Sequence, residues 1–310
     1  MRVLVAGSSG MVGSALVRKF NEFGFGVHTL SRENVDFTDE QETLRCVDKI
    51  RPDLIVIAAA KVGGISANVA QPVQFLETNL KIQQSLLGAA YIAGIPKLIF
   101  LGSSCIYPRD CQQPIKEEYL MSGPLEPTNS AYAIAKIAGM ELVKSYRKEF
   151  GLKWISLMPT NLYGPNDNFN LDNSHVMPAL IRRFIEAAEN GSDKVTLWGT
   201  GLPLREFLHV DDLAAAVLVA AEKYDSSLHL NVGSGVDLPI KQLALMVSTA
   251  AGFKGEIEWD TSKPDGTPRK VLDISRINEL GWGSKITLSA GIASTIAWYK
   301  EANARGGVRK

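Results

Sequence analysis

The sequence predicts an α/β protein, a doubly wound parallel sheet followed by a smaller C-terminal α/β domain. Three observations carry that expectation. Short apolar runs alternate with helical stretches through the first half of the chain, the pattern of parallel strands joined by right-handed crossovers. One run, Leu54 to Ala59, is apolar at every position, as a strand buried on both faces must be. Past Gly164 the character shifts to a polar loop dense in Asn and Asp, followed by further helices and short strand-like runs. The expected division is residues 1–165 for the first domain, with a later strand near 228–232 returning to its sheet, and mainly 166–310 for the second.

The first strand, after Met1-Arg2, runs into Gly7-Ser8-Ser9-Gly10-Met11-Val12-Gly13 and then a helical pattern through Phe20. Strand, glycine turn and helix in that order are what a dinucleotide-binding turn requires. Gly7 allows the tight turn, Gly10 lets the backbone approach a pyrophosphate, and Gly13 lets helix and strand pack closely. Free N–H groups and the positive end of the helix dipole would meet the phosphates. A second strand, Val27 to Leu30, ends at Ser31-Arg32. A carboxylate at that point selects the ribose 2′-hydroxyl of NAD, so Arg32 points to the 2′-phosphate of NADP, with Glu33 beside it as a counterweight. Thr38 or Asp39 is the expected N-cap of the next helix, in which Cys46 reads as a small core residue.

The third strand ends in Ala60-Lys61-Val62-Gly63-Gly64, small residues that let a ligand lie close over the strand end. A long helical stretch from Pro72 to Ala93 carries Asn79, and a fourth strand, Lys97 to Leu101, delivers Gly102-Ser103-Ser104-Cys105. The helical pattern from Ala131 to Phe150 then sets Tyr132 and Lys136 four residues apart on one face. A phenol ionises near pH ~10. An ammonium one turn away favours the phenolate and is expected to bring that pKa nearer the working range. With a serine hydroxyl arriving from the strand end, Ser103, Tyr132 and Lys136 make a proton donor for a ketone or a base for an alcohol.

A fifth strand, Trp154 to Met158, leads to Pro159-Thr160-Asn161-Leu162-Tyr163-Gly164-Pro165. The loop 166–174 precedes His175 and a helix bearing Arg182 and Arg183. Val195 to Gly199 includes Trp198, and Pro203 to Asp212 includes Arg205, with Asp211 or Asp212 the expected cap of a helix reaching Ala221. Lys263 to Lys270 is turn-rich and holds Asp265. The tail from Asn303 is expected to be frayed.

Lys plus Arg and Asp plus Glu both number 33, so no net field favours nucleic acid or an anionic membrane, and an anionic ligand must be met by local basic residues. No apolar run approaches the ~20 residues a bilayer span needs, and the start leaves no room for a signal peptide. Three cysteines without zinc spacing suit a reduced, cytoplasmic protein; Cys111 lies in a polar loop, and no metal site is expected.

The glycine turn, Asn79, Ser103 and Tyr132-x-x-x-Lys136 together resemble the extended short-chain dehydrogenase/reductase family. Ala58 to Gly64, Gly102 to Pro108, Tyr132 to Gly139, Pro159 to Pro165, Asn173 to Val176 and Lys263 to Lys270 are similar in finer detail to its GDP-fucose synthase branch, over about residues 1 to 300. That branch epimerises GDP-4-keto-6-deoxy-mannose at C3 and C5 and reduces the C4 ketone with NADPH. The resemblance implies a Rossmann domain and a substrate domain, with Cys105 and His175 as the groups that exchange protons at the sugar. It implies a cofactor site made by the glycine turn with Arg32, Asp36, Ala58, Ala59, Ala60, Leu101, Gly102, Tyr132, Lys136, Pro159, Asn161, Leu162 and His175. Asn161, Arg183, Trp198, Arg205, Asp265 and Lys270 would hold the substrate nucleotide, and a homodimer would form through the helices containing Asn79 and Tyr132.

One departure concerns Ser9, where members often carry an arginine for the 2′-phosphate; here Arg32 is left to bind it, and dual use of NADH stays open. Nucleotide-sugar 4,6-dehydratases resemble this chain but typically place an acidic pair where it has Ser104-Cys105. A redox-neutral 4-epimerase would retain NAD, and a non-catalytic dinucleotide sensor would have no need of an acid matched to a ketone.

Overall fold

The computed structural model describes residues 1–263 and 265–309; Pro264 of the turn-rich loop and Lys310 of the tail lie outside the described residues. Among the described residues the first half of the chain runs β1 (Arg2–Ala6), α1 (Met11–Glu22), β2 (Gly26–Leu30), α2 (Glu40–Ile50), β3 (Leu54–Ile57), α3 (Ile65–Ala70), α4 (Pro72–Ile92), β4 (Lys97–Leu101), α5 (Ser130–Phe150), β5 (Lys153–Pro159) and β6 (Asn161–Tyr163). The second half runs α6 (Val176–Glu189), β7 (Lys194–Trp198), β8 (Leu204–His209), α7 (Val210–Lys223), β9 (Leu230–Val232), β10 (Asp237–Pro239), α8 (Ile240–Ala251), β11 (Glu256–Asp260), β12 (Arg269–Lys270), α9 (Ser275–Glu279) and α10 (Leu288–Ala304).

Six strands form a parallel sheet in the order β2-β1-β3-β4-β5-β9. Side chains alternate across it, so the strand sequences supply two cores at once. Leu4, Ile55, Leu98 and Phe100 face one side with Leu86 and Leu87 of α4 and Met140 and Val143 of α5. Val3, Val56, Ile99 and Leu157 face the other with Leu16 and Phe20 of α1 and Leu213 and Val217 of α7. The strand order reverses between β1 and β3, which is where a doubly wound sheet opens a crevice at its carboxyl edge. The expected return of a strand near 228–232 is observed in β9, and α7 returns with it.

A third core, built from Ile181 and Phe184 of α6, Leu243 and Val247 of α8 and Ile292, Ile296 and Tyr299 of α10, lies in the second half of the chain. Its strands centre on β8, which pairs with β6, β10 and β12, while β7 and β11 pair with each other. The link between the sheets is one run of chain. Thr160 donates to Val232 O at 3.0 Å where β5 leaves the first sheet, and Asn161 to Tyr163 then pair with Phe207 to His209 of β8.

Three local expectations are corrected. The cap of α7 is His209, whose Nδ1 accepts the Asp211 N–H at 3.3 Å; the helix begins at Val210, so Asp211 and Asp212 fall in its first turn. The Asp212 carboxylate instead accepts the N–H groups of Lys285 and Ile286. The turn-rich loop ends in a strand, with Arg269 and Lys270 in register with Leu204 and Arg205. The tail is docked, since Asn168 and Arg309 form a parallel bridge and the Phe169 N–H reaches Arg309 O at 2.9 Å. Helix α3 was not anticipated; its short, small-residue sequence carries little helical periodicity.

Glu206 of β8 is fully buried, and its carboxylate accepts the N–H groups of Gly235 at 2.6 Å and Leu272 at 3.0 Å. It therefore ties β8 to the chain segments that follow β9 and β12. Glu206→Ala is expected to cost about 3 kcal/mol of folding free energy, because two buried backbone donors lose their acceptor. Urea unfolding measures this, and a loss below about 1 kcal/mol would remove the carboxylate from its assigned role.

Candidate active site

The glycine turn lies at the crevice between β1 and β3. Gly7 has φ +92°, and a Cβ there would meet Ala59 N at 2.6 Å; one on Gly13 would meet Gly7 O at 2.1 Å. These two glycines are demanded by the protein's own backbone. A Cβ on Gly10 would meet nothing nearer than Gly7 O at 3.4 Å, so the room there belongs to a ligand. Met11 and Val12 open α1, whose first N–H groups receive no side-chain cap from Gly10. Ser8, Ser9, Ser14, Arg18, Ser31 and Asn34 line a cavity of about 480 Å³ alongside. Backbone donors, hydroxyls and a helix N-terminus around open space fit the pyrophosphate and adenosine half of a dinucleotide. The backbone of Ala58 and Ala59 lies against Gly7, and Arg32 is exposed just past the end of β2. Asp36 is engaged otherwise, accepting the Thr38 N–H and hydroxyl at 2.9 and 2.8 Å on the surface before α2.

Beyond the turn, Asn79 locks the end of β3. Its amide donates to Lys61 O at 3.0 Å and Phe75 O at 2.7 Å, and its oxygen accepts the Lys61 N–H at 2.9 Å. The small residues that follow have a different use from the one expected. Gly64 donates to Asn173 O at 2.9 Å, and a Cβ on it would meet Ser174 O at 2.4 Å, so backbone of the polar loop occupies that space. This contact carries His175, the N-cap residue of α6, to the strand edge. His175 keeps an exposed surface, and desolvation lowers the pKa of its imidazole below the ordinary value.

Leu101 and Gly102 end β4, and Ser103 to Ile106 turn so that the Cys105 N–H reaches Ser103 Oγ at 3.2 Å. Across from them α5 presents Tyr132 and Lys136. The Ser103 hydroxyl lies close enough to the Tyr132 phenol to favour its ionisation, and Cys105 close enough to oppose it. Lys136 is buried, donates to Leu101 O at 2.8 Å, and lies 4.9 Å from the Phe100 ring centroid and 5.9 Å from that of Tyr132. The expected lowering of the phenol's pKa is not what this environment produces. Burial pushes Tyr132 up, outweighing the Ser103 hydroxyl, and burial also pushes Lys136 down to about 8. Desolvation thus acts on both charged forms and outweighs the one-turn electrostatic argument.

From the second half of the chain, Lys270 directs its ammonium to Cys105 Sγ at 3.7 Å. Arg205 pairs in register with Lys270, which puts both side chains on one face of the β8–β12 pair, within electrostatic reach of Cys105, Glu126 and Asp265. Asp265 also accepts the Thr200 N–H and hydroxyl at 2.9 and 2.6 Å. Asn161 donates its amide to Glu206 O at 2.9 Å, while Pro159 and Leu162 flank the point where the chain changes sheets. Arg183 reaches the carbonyl of Thr196 at 3.3 Å, and Trp198 stands 61% exposed with Lys263 over its ring; among the described residues neither is brought into contact with the thiol. Sequence reasoning missed Glu126. Its carboxylate accepts the Thr267 hydroxyl at 3.1 Å and pairs with Arg109 at 3.5 Å, joining the loop before α5 to the turn-rich loop. Beside Pro127 it reads as an ordinary turn residue, and no spacing distinguishes it.

The chain matches the NAD dependent epimerase/dehydratase family over residues 3–233. It is 50% identical over 299 residues to GDP-L-fucose synthase 1 of Arabidopsis thaliana, covering 96% of this chain and 93% of that one. With GDP-L-fucose synthase of Escherichia coli (strain K12) it shares 47% identity over 310 residues, covering 97% of each. A GDP-L-fucose synthetase from Naegleria fowleri, solved with NADP bound, superposes with a TM-score of 0.91 at 28% identity, covering 100% of this chain and 96% of that one. The glycine turn at the sheet's crevice, the Ser103, Tyr132 and Lys136 group and this full-length likeness lead to one conclusion: the chain belongs to the NAD dependent epimerase/dehydratase family and, within it, to the GDP-L-fucose synthases.

Proposed function

We propose that this protein converts GDP-4-keto-6-deoxy-D-mannose to GDP-L-fucose, epimerising C3 and C5 and reducing the C4 ketone with NADPH. The observation that carries the reading is the meeting of Ser103, Cys105, Tyr132 and Lys270 in one cleft. A ketone acidifies the hydrogens on both neighbouring carbons, so a single site that stabilises the enolate oxygen serves both inversions. Ser103 and Tyr132 hydrogen-bond that oxygen as charge develops on it. The Cys105 thiol lies beside the phenol, within reach of an adjacent carbon, and His175 enters from the α6 side as its partner in proton exchange. For reduction, Tyr132 must arrive protonated, and its burial keeps it so. The glycine turn would hold NADPH, which would provide the hydride chemistry for the C4 ketone, while Tyr132 gives the proton to the oxygen and Lys136 fixes the phenol's surroundings.

Arg205, Lys270 and Arg183 are suited to the substrate diphosphate, and Trp198 offers its exposed face to the base or sugar. Asn161 and Asp265 shape that wall through Glu206 and Thr200. The first domain, 1–165 with β9, holds the cofactor, and mainly 166–310 holds the GDP-sugar. Three free thiols suit a reducing cytoplasm, and no helix of the described residues is long and apolar enough to cross a membrane.

Tyr132→Phe is expected to lower reduction more than a thousandfold, ~4 kcal/mol in the barrier, with NADPH affinity within twofold of wild type. In wild type, kcat/KM for reduction should fall as pH rises through about 8, because the free enzyme's Lys136 loses its charge there. Lys136→Arg should move that limb upward. NADPH absorbance reports both effects, and near-normal turnover of the Phe variant or a flat profile to high pH would count against these assignments.

Cys105→Ser and His175→Gln should each incorporate less deuterium at C3 and C5 from heavy water while still oxidising NADPH. Mass spectrometry of the nucleotide sugar measures it; undiminished label at both carbons in both variants would place the exchange groups elsewhere.

A homodimer through α4 and α5 is supported by the exposure of Val73, Ile92 and Ile134 on these packed helices. Light scattering should give twice the chain mass, falling to one chain mass for Ile134→Glu with Ile92→Glu; a wild-type monomer at micromolar concentration would overturn it.

A further inference from the structure

The polar loop after β6 and the end of the chain meet over the first turn of α1. The Arg309 guanidinium donates to Asn166 O, and its own carbonyl accepts the Phe169 N–H at 2.9 Å. Asn166, held at φ +64°, turns its amide to Ser14 Oγ at 2.9 Å. Ser14 lines the same cavity as Ser8, Ser9 and Ser31, which lies beside the end of β2 and next to Arg32. Arg309 is therefore two hydrogen bonds from the wall of the space that the cofactor's adenosine end would fill.

The charges around that space are specific. The turn offers hydroxyls at Ser8 and Ser9 but no cation, and Arg18 is paired with Asp211 at 2.6 Å. Glu33 stands beside Arg32 with the wrong sign for an anion. Among the described residues, buried Asp167 of opposite sign and Arg32 of the same sign both act on Arg309. Asp167 and the backbone contacts account for the docking of the tail, and the guanidinium they hold stands two hydrogen bonds from the cavity wall at Ser14. An anion at that end of the cavity would lie within the field of both guanidinium groups. A ribose 2′-phosphate carries up to two negative charges and three acceptor oxygens, and two guanidinium forks match it in charge and geometry.

We propose that Arg309, with Arg32, binds the 2′-phosphate of the cofactor, so that the end of the chain takes part in selecting NADPH over NADH. The proposal rests on the NADPH reading above, and the test separates the two. Calorimetric titration of the purified full chain with NADPH, NADH, 2′,5′-ADP and 5′-AMP needs no turnover. Arg309→Ala is expected to weaken NADPH and 2′,5′-ADP about tenfold while leaving NADH and 5′-AMP within twofold, and Arg309→Lys should recover most of the loss. If wild type prefers 2′,5′-ADP but Arg309→Ala weakens phosphorylated and unphosphorylated ligands equally, or neither, the tail is structural and the proposal fails. A wild type indifferent to the 2′-phosphate would overturn the NADPH reading and this proposal together.

Discussion

The parallel pairing of β8 with β6 and β12 is the constraint on which the rest of the structure depends. Through β6 it takes hold of the chain as it leaves the first sheet, and through β12 it sets Lys270 beside Arg205. The buried Glu206 carboxylate, one residue from Arg205, fastens the same strand to the segments after β9 and β12. Shifting the register of a strand by one residue turns every side chain to the opposite face. A slipped β8–β12 pair would therefore separate Lys270 from the thiol and leave the second half of the chain without a face to turn towards Ser103 and Tyr132.

Desolvation then decides the ionisation of what this arrangement gathers. An exposed lysine one turn from a tyrosine would act mainly through its charge, but Lys136 is buried against Phe100 and Leu101 O. Burial disfavours its cation and the Tyr132 phenolate alike, so both groups are held nearer neutrality than in water. A phenol kept protonated by its surroundings is a donor suited to an oxygen that gains charge during reaction.

Much of this was legible in the residues. The apolar strands, the glycine turn and the i,i+4 pair of Tyr132 and Lys136 are local patterns, and each survives in place because its physical cause is local. Gly7 and Gly13 are explained by contacts within ten residues and the neighbouring strand; Asp39 caps α2 as its position suggests, accepting the Glu42 N–H at 2.9 Å. What failed depends on distant partners. Gly64 was legible as a close-approach glycine, yet the approaching body is the backbone of Asn173 and Ser174, more than a hundred residues on. Glu126 gains its meaning from Thr267 and Arg109, and the tail gains its order from Asn166 to Phe169. The pKa of Tyr132 belongs to this second group, because burial is a property of the whole fold.

The loop from Asn166 to Ser174 shows how these distant contacts combine. Its beginning touches Ser14 on the cofactor's helix, and its middle holds the chain's end through Phe169. Its last residues lie on Gly64 at the edge of the first sheet and lead into His175 and α6. Phe169 anchors this polar loop in the third core against Trp298 and Tyr299, and hydrogen bonds to neighbouring elements set the conformation of the rest. Asn168 and Asn170 add bonds within it, to Asn173 and from Asp172. His175 is therefore carried by the same segment whose beginning touches Ser14 on α1, so one run of chain connects the first helix to the N-terminus of α6.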